Sequence, residues 1–180
     1  CAASDFRIFW DNAYCVHHLY EDEREHVADI AAACEAADNP NRYFKFASTS
    51  KVTLPGAGIA AVAASAENIA EIKARVQTVG YDKMNQLRHV RFLKNAAGVD
   101  ALMKKHAAII RPKFELVARM LEEGLRNEGI ATWTNPVGGY FVSFDGLEGT
   151  AKRTVELAKK AGVTMTGAGA TWPYKQDPRD

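Results

Sequence analysis

The sequence places a lysine, an acid and a phenol at the ends of two predicted strands. Asp11 and Tyr14 follow the strand-like run at residues 6–10, and Lys51 follows the alternating run at residues 42–47. A lysine held at a strand end in a loop of small residues can be desolvated, and desolvation lowers the pKa of a lysine and frees a nucleophilic amine. These residue types therefore predict a site for amine chemistry.

Pyridoxal phosphate is a cofactor that this combination suits. Its aldehyde condenses with a lysine amine, and its ring nitrogen pairs with an aspartate. Lys51 would supply the amine, and Asp11 would keep the ring nitrogen protonated, so that the ring draws electrons from a substrate carbanion. Commoner roles stay open at this point: Lys51 as a solvated loop lysine, and Asp11 as a residue that ends a strand or caps a turn.

Two motifs connect these residues with a known family. The motif that begins at Asp11 (Asp-x-Ala-Tyr) and the motif that ends at Lys51 (Ser-x-Ser-Lys) resemble the cofactor signature of fold-type I pyridoxal-phosphate aminotransferases of class I. The longer segments FWDNAY and STSKVTLPGAG resemble an aspartate-aminotransferase-like bacterial subgroup. The resemblance extends to NQLRH at residues 85–89 and PVGGYF at residues 136–141.

The resemblance implies cofactor-binding roles for four residues. Lys51 would be the Schiff-base lysine and, once free, the base that moves a proton from the substrate α-carbon. Asp11 would face the ring nitrogen, Tyr14 would donate its hydroxyl to the phenolic oxygen, and Ser48 would hydrogen-bond the phosphate. Structural roles remain as alternatives, since Tyr14 suits a half-buried aromatic position and Ser48 is a small residue in a tight place.

The chain departs from the family after the lysine. Many relatives carry an arginine in a Pro-Gly-x-Arg run, where it pairs with the phosphate, whereas this sequence has Gly58 in that place. The phosphate is therefore expected to be held by backbone N–H groups, by hydroxyls or by residues outside this sequence.

The order of predicted elements is α/β at first and α+β later. The apolar segment at residues 58–64 fits either a strand or a helix. Pro112 is expected to kink or end the longest helix. The other predictions are strands at 6–10, 42–47, 131–134, 139–145 and 162–166, and helices at 23–37, 65–79, 82–94, 100–127 and 150–161. Ser65 is expected to be the N-cap of the helix at 65–79.

The resemblance implies an α/β fold, namely part of the large three-layer sheet domain that binds pyridoxal phosphate in fold-type I transferases, followed by a small α+β C-terminal domain. We assign residues 1–97 to the large domain, with the cofactor lysine. Residues 98–180 are assigned to the interdomain helix and a truncated small domain. Aminotransferases of this type are longer than the 180 residues here, so we expect missing sequence at both ends.

Composition argues against several other classes of protein. The 23 Lys and Arg against 22 Asp and Glu give a net charge of +1, which provides no electrostatic footprint for nucleic acid. No apolar run approaches the roughly 20 residues of a membrane span. The odd count of three cysteines favours free thiols in a reducing cytoplasm. The five histidines lack metal-binding spacing, and His89 is expected on a solvated helix face.

The resulting hypothesis is an aminotransferase that moves an amino group from a dicarboxylic amino acid, such as aspartate, to a 2-oxo acid. The resemblance implies a cytoplasmic homodimer whose active sites lie near the subunit interface. Two alternatives stay open. One is a pyridoxal-phosphate-dependent lyase or decarboxylase, because the scaffold does not fix the reaction. The other is a non-enzymatic aminotransferase-like sensor domain of a transcription regulator.

Overall fold

The computed structural model of the protein describes residues 5–76 and 80–180. Two compact units are distinguished: one extends to Pro112 and includes Val137–Tyr140, and the other consists of Lys113–Pro136 and Phe141–Asp180. The strands are β1 (Ile8–Asp11), β2 (Tyr43–Ser48), β3 (Ala60–Ala64), β4 (Ala131–Trp133) and β5 (Phe144–Gly146). The helices are α1 (Ile30–Ala36), α2 (Ala66–Arg75), α3 (Lys83–Leu93), α4 (Ala96–Leu125) and α5 (Ala151–Lys160), with a 3₁₀ turn at Pro173–Lys175.

The first unit contains a three-stranded sheet in the order β1-β2-β3. β1 and β2 are parallel, in a register that runs from Ile8 opposite Tyr43 to Asp11 opposite Phe46. A parallel pair needs a crossover connection, and α1 lies within this one. β3 pairs with β2 in the antiparallel direction. The carboxyl ends of β1 and β2 therefore meet at one edge of the sheet.

Side chains of β1 and β2 alternate between the two faces of the sheet, as strand geometry requires. The register places Phe9, Asp11, Phe44, Phe46 and Ser48 on one face, and the ring of Phe9 lies 5.7 Å from the rings of both other phenylalanines. The two polar residues of this face are the last residues of their strands. The sheet thus has an aromatic face with polar groups at its carboxyl edge.

Polar side chains fix α1 and α2 to β2. The carboxylate of Asp29 accepts a hydrogen bond from the N–H of Ala31 as the N-cap of α1 and also forms an ion pair with the Lys45 amine at 3.2 Å. The predicted N-cap of α2, Ser65, is confirmed because its hydroxyl accepts from the N–H of Asn68 at 3.2 Å. The buried Asn68 amide donates in turn to the carbonyl of Tyr43 at 3.3 Å. Each helix is therefore held to the sheet by its first turn.

The second unit contains an antiparallel pair, β4 and β5, and the helix α5. Thr150 precedes α5 but makes no side-chain cap. Instead, the Asp180 carboxylate accepts a hydrogen bond from the N–H of Lys152 at 3.2 Å and pairs with its amine at 3.4 Å. An acidic group in the first turn is favourable for a helix, so Asp180 takes over the capping function.

Most predicted elements are confirmed, with boundaries shifted by a few residues. The undecided segment at residues 58–64 contains a strand, β3. The helix predicted at residues 65–79 ends at Arg75 in the described chain, and residues 77–79 lie outside the described residues. The long helix is continuous through Pro112, so of the two predicted alternatives, a kink or an end of the helix, the end is excluded.

Three predictions differ more. The helix predicted from residue 23 begins at Ile30, because Asp29 caps it. The strand predicted at 139–145 begins only at Phe144. The strand predicted at 162–166 is wrong: these residues form no strand, and Gly162 adopts a left-handed backbone with φ +88° after α5.

The apolar residues that are buried are few. In the described chain they are Leu19, Cys34, Tyr43, Val52 and Met103. Many large apolar side chains are exposed, including Met84, Val90 and Phe92 on α3. Among residues 5–76 and 80–180, none of the helices combines the length and the apolar character required to cross a membrane.

A close backbone approach joins the segment after β1 to the segment Val137–Tyr140. The N–H of Leu19 donates to the Val137 carbonyl at 2.8 Å, and the N–H of Gly139 donates to the His17 carbonyl at 2.8 Å. A Cβ at Gly138 would lie 2.6 Å from that same carbonyl oxygen. Only glycine therefore fits this position without a shift of the backbone.

We expect Gly138→Ala to lower the free energy of unfolding by about 1–3 kcal/mol, as overpacking does in a tight site. The matched control is Gly124→Ala, because a Cβ at this helical glycine meets nothing within 4 Å. The control should raise stability by up to about 1 kcal/mol through helix propensity. Urea unfolding of the purified proteins measures the free energy of unfolding of each variant. Equal stability of Gly138→Ala and Gly124→Ala would contradict the close approach of Gly138 to the His17 carbonyl.

Candidate active site

The four predicted site residues lie at the carboxyl edge of the β1–β2 pair. Asp11 is the last residue of β1 and Ser48 the last residue of β2, on the same face of the sheet. Tyr14 lies in the turn after β1, and Lys51 lies in the turn after β2. The structure therefore brings the four residues to one edge, as expected from their positions after two parallel strands.

Lys51 lies in a loop of residues 49–59 that is closed by its own hydrogen bonds. The N–H groups of Val52 and Thr53 both donate to the Thr49 carbonyl at 2.9 Å. At the far end, the N–H of Ile59 donates to the Thr49 hydroxyl oxygen at 2.9 Å. Val52 is buried, whereas the neighbouring Lys51 is exposed. The desolvated environment predicted for this amine is thus absent from the described part of the chain.

Two serines and a glycine pack together next to the lysine. The Ser48 hydroxyl donates to the Ser50 hydroxyl at 3.1 Å. A Cβ at Gly58 would lie 3.2 Å from both the backbone nitrogen and the hydroxyl oxygen of Ser50. The glycine that stands in place of the family arginine therefore lets the two limbs of the loop approach each other.

Helix α3 holds both limbs of the loop. The Asn85 amide donates to the Ala57 carbonyl at 2.9 Å. His89 Nδ1 donates to the carbonyl of Asn85 at 2.9 Å, and since a carbonyl can only accept, Nδ1 carries the proton. His89 Nε2 is then left to interact with the hydroxyls of Thr49 at 2.9 Å and Thr53 at 3.1 Å.

The prediction that His89 lies on a solvated helix face is wrong. Its side chain is buried, with 7% of the residue exposed, because α3 turns it toward the lysine loop. The neighbours Arg88 and Arg91 are exposed and suggested a polar face. The signal that sequence reasoning missed is the spacing of four between Asn85 and His89, which puts both polar side chains on the same helical face.

Three rings lie together beside the lysine turn. Tyr14 and Tyr140 meet edge to face at 5.4 Å between centroids, and His17 contacts both rings, at 5.7 and 4.8 Å. Burial, followed by the proximity of Tyr14, raises the pKa of Tyr140. Its hydroxyl thus stays protonated at neutral pH and can donate a hydrogen bond.

The adjacent histidines face different surroundings, as expected for neighbours in an extended segment. His17 is buried against the rings, whereas His18 lies near Arg24 and Asp100. Burial, and then the positive charge of Arg24, lowers the pKa of His18. Both effects favour the neutral form of His18. In the described ranges no group of His, Cys, Asp and Glu side chains could hold a metal ion.

We expect His89→Leu to loosen the lysine loop, because it leaves the hydroxyls of Thr49 and Thr53 without their buried partner. Loss of such a bond costs about 1–3 kcal/mol. Hydrogen exchange of the amides at residues 52–53 and 59 should become faster. Gln86→Leu, at an exposed position of the same helix, is the control and should leave these amides unchanged. If the amides at residues 52–53 and 59 exchange at the same rate in His89→Leu as in the unaltered protein, then α3 does not hold the lysine loop.

Comparison with known proteins places the chain in a family. A family model described as aspartate amino-transferase matches residues 1–180. An aspartate aminotransferase of Corynebacterium glutamicum is 50% identical over 181 residues, which cover 99% of this chain and 42% of that protein. The chain therefore spans less than half the length of the curated relatives it matches.

Solved structures agree with this match. The crystal structure of an aspartate transaminase from Corynebacterium glutamicum has a TM-score of 0.87 and 50% identity over 99% of this chain and 42% of that one. An α-aminoadipate aminotransferase from Thermus thermophilus, solved with N-(5'-phosphopyridoxyl)-L-leucine, has a TM-score of 0.66 at 21% identity, over 88% of this chain and 39% of that one. The second structure shares the fold. The fold and the match over the whole sequence show that this chain belongs to the aspartate aminotransferase family, with the fold-type I architecture that its motifs predicted.

Proposed function

We propose that the protein is a pyridoxal-phosphate-dependent aminotransferase and that this chain carries its cofactor-anchoring lysine. The observation that carries the proposal is the placement of Asp11 and Lys51 at the same edge of two parallel strands. A cofactor with an aldehyde at one end and a ring nitrogen at the other needs an amine and a carboxylate that are fixed relative to each other. The β1–β2 pairing supplies that relation.

The residues present fit this cofactor by their chemistry. When bound, pyridoxal phosphate would act as the electron sink for the carbon that loses a proton. Asp11 would hold a proton at the ring nitrogen, because a carboxylate favours the charged form of a neighbouring base. Tyr14 would donate its hydroxyl to the phenolic oxygen. The face of the sheet that Asp11 shares with Ser48 would face the ring and the phosphate.

Lys51 would have two functions in turn. Its Nζ would first anchor the cofactor and then, once displaced by substrate, accept the proton from the substrate α-carbon. An exposed side chain at the tip of a hydrogen-bonded turn suits both functions, since the backbone is fixed while the four-carbon stem can move.

Hydroxyl groups are the phosphate ligands that this chain offers in place of the family arginine. Ser48 donates its proton to Ser50 in the structure, so the Ser50 hydroxyl retains its own proton for an anion. Hydroxyl protons rotate to suit their partners, and Ser48 could therefore turn toward a phosphate as well. We propose that both serines contribute to phosphate binding.

The proposed substrates are aspartate, or another dicarboxylic amino acid, and a 2-oxo acid. The name of the Corynebacterium glutamicum relative at 50% identity supports aspartate. A cytoplasmic homodimer is part of the same proposal and rests on the family resemblance. Light scattering of the purified protein would measure its oligomeric state.

Borohydride reduction tests the cofactor anchor. The full-length protein, loaded with pyridoxal phosphate and reduced, should carry a pyridoxyl group on the peptide that contains Lys51. Lys51→Ala should abolish this adduct, whereas Lys83→Ala, at an exposed lysine of α3, should not change it. Labelling spread evenly over many lysines would refute the proposed anchor.

Product analysis tests the reaction. Aspartate and 2-oxoglutarate should give oxaloacetate and glutamate, and Asp11→Asn should lower kcat by roughly a hundredfold or more, as removal of one preorganised electrostatic partner does. Release of ammonia or carbon dioxide without a new amino acid would instead indicate a lyase or a decarboxylase. Cofactor binding without any turnover would favour a sensor domain.

A further inference from the structure

We propose that His17 and Tyr140 are positioning residues that hold the backbone carbonyl of Lys51 and thereby set where its amine projects. This inference rests on the proposed function, because it concerns the placement of the proposed anchor lysine. We call the two hydrogen bonds to the Lys51 carbonyl the carbonyl clamp.

The carbonyl clamp has one strong and one weaker bond. His17 Nε2 lies 2.9 Å from the Lys51 carbonyl oxygen, and the Tyr140 hydroxyl donates to the same oxygen at 3.4 Å. Since the carbonyl can only accept, Nε2 of His17 must be the protonated nitrogen. The shorter distance makes His17 the principal member of the clamp.

His17 has little freedom to move away. The residue is 6% exposed, and its ring contacts the rings of both Tyr14 and Tyr140. Its N–H donates to the Tyr14 carbonyl at 3.0 Å, and its carbonyl accepts from the N–H of Gly139 at 2.8 Å. The donor that holds Lys51 is therefore fixed by its backbone on both sides.

The ring of His17 makes no second hydrogen bond to the part of the chain that the structure describes. Nδ1 is buried and makes no hydrogen bond within the described ranges. Buried polar atoms without a partner are uncommon and costly. A buried phenylalanine would avoid this cost, but of the two only the histidine ring offers a donor to the Lys51 carbonyl at this position.

The clamp links the two proposed anchors of the cofactor. Asp11 and His17 lie six residues apart on one short segment, and the N–H of Asn12 donates to the Phe46 carbonyl of β2 at 2.9 Å. The segment that carries the proposed ring-nitrogen partner thus also holds the backbone of Lys51. This arrangement fixes the backbone of Lys51 relative to the backbone of Asp11 before any cofactor binds.

Paired variants at position 17 test the clamp. His17→Phe keeps an aromatic ring but removes the donor, whereas His17→Gln places an amide N–H near the position of Nε2. Tyr140→Phe removes only the hydroxyl. Tyr81→Phe is the control, because Tyr81 is 71% exposed. Each full-length variant is prepared as apoprotein, so that the rate of its condensation with pyridoxal phosphate, which releases one water, can be followed by absorbance.

We expect His17→Phe to slow the condensation at least tenfold and to lower kcat more than it raises KM. His17→Gln should recover most of the rate, and Tyr140→Phe should slow it two- to fivefold. In the apoprotein, His17→Phe should also speed hydrogen exchange of the amides at residues 52 and 53. If the role of His17 were purely structural, His17→Phe and His17→Gln would lose the same amount of melting temperature and the same factor in condensation rate. This result would overturn the proposal.

The experiment separates this inference from the proposed function. If the unaltered protein forms no Schiff base, the proposed function fails, and hydrogen exchange of the apoproteins alone then decides whether the carbonyl clamp holds the turn. If the unaltered protein condenses normally and His17→Phe does so at the same rate, the clamp is refuted and the proposed function stands. If His17→Phe does not fold, the other two variants decide. The proposal would be overturned if Tyr140→Phe condenses with pyridoxal phosphate at the unaltered rate and if His17→Gln condenses more slowly only in proportion to its loss of stability.

Discussion

The parallel pairing of β1 with β2 is the constraint on which the proposed site depends. Asp11 lies opposite Phe46 in this register, and a slip by one residue would turn Asp11 to the opposite face of the sheet from Ser48. The aromatic contacts of Phe9 with its two neighbours on β2 stabilise this register from the same face. Contacts between aromatic rings thus add to the backbone pairing that places two polar groups of the proposed site.

The lysine loop obtains its shape from three surrounding segments. Helix α3 holds it through Asn85 and His89, and the segment after β1 holds it through His17. Tyr140 adds a bond from a part of the chain that is distant in sequence. These partners bind backbone carbonyls and hydroxyls of the loop, so its conformation is fixed while the amine of Lys51 remains exposed.

Local pattern predicted the strands and the site motifs but not the contacts that support them. The apolar alternation of residues 42–47 and the cap at Ser65 are short-range signals, and both elements form as expected. The burial of His89 depends on how α3 packs, which its own sequence, with arginines on either side, does not reveal. The strand predicted at 162–166 failed for a similar reason. A β-branched run indicates a strand only where a partner strand is available.

Gly58 has a consequence for how this site can change in evolution. A side chain at position 58 would press on the backbone of Ser50, the residue immediately before Lys51. An arginine acquired at this position would therefore displace the lysine turn at the same time as it added a cation. In the proposed site, a side chain at position 58 would therefore alter anion binding and the placement of the lysine turn together, whereas a cation added elsewhere would leave this turn undisturbed.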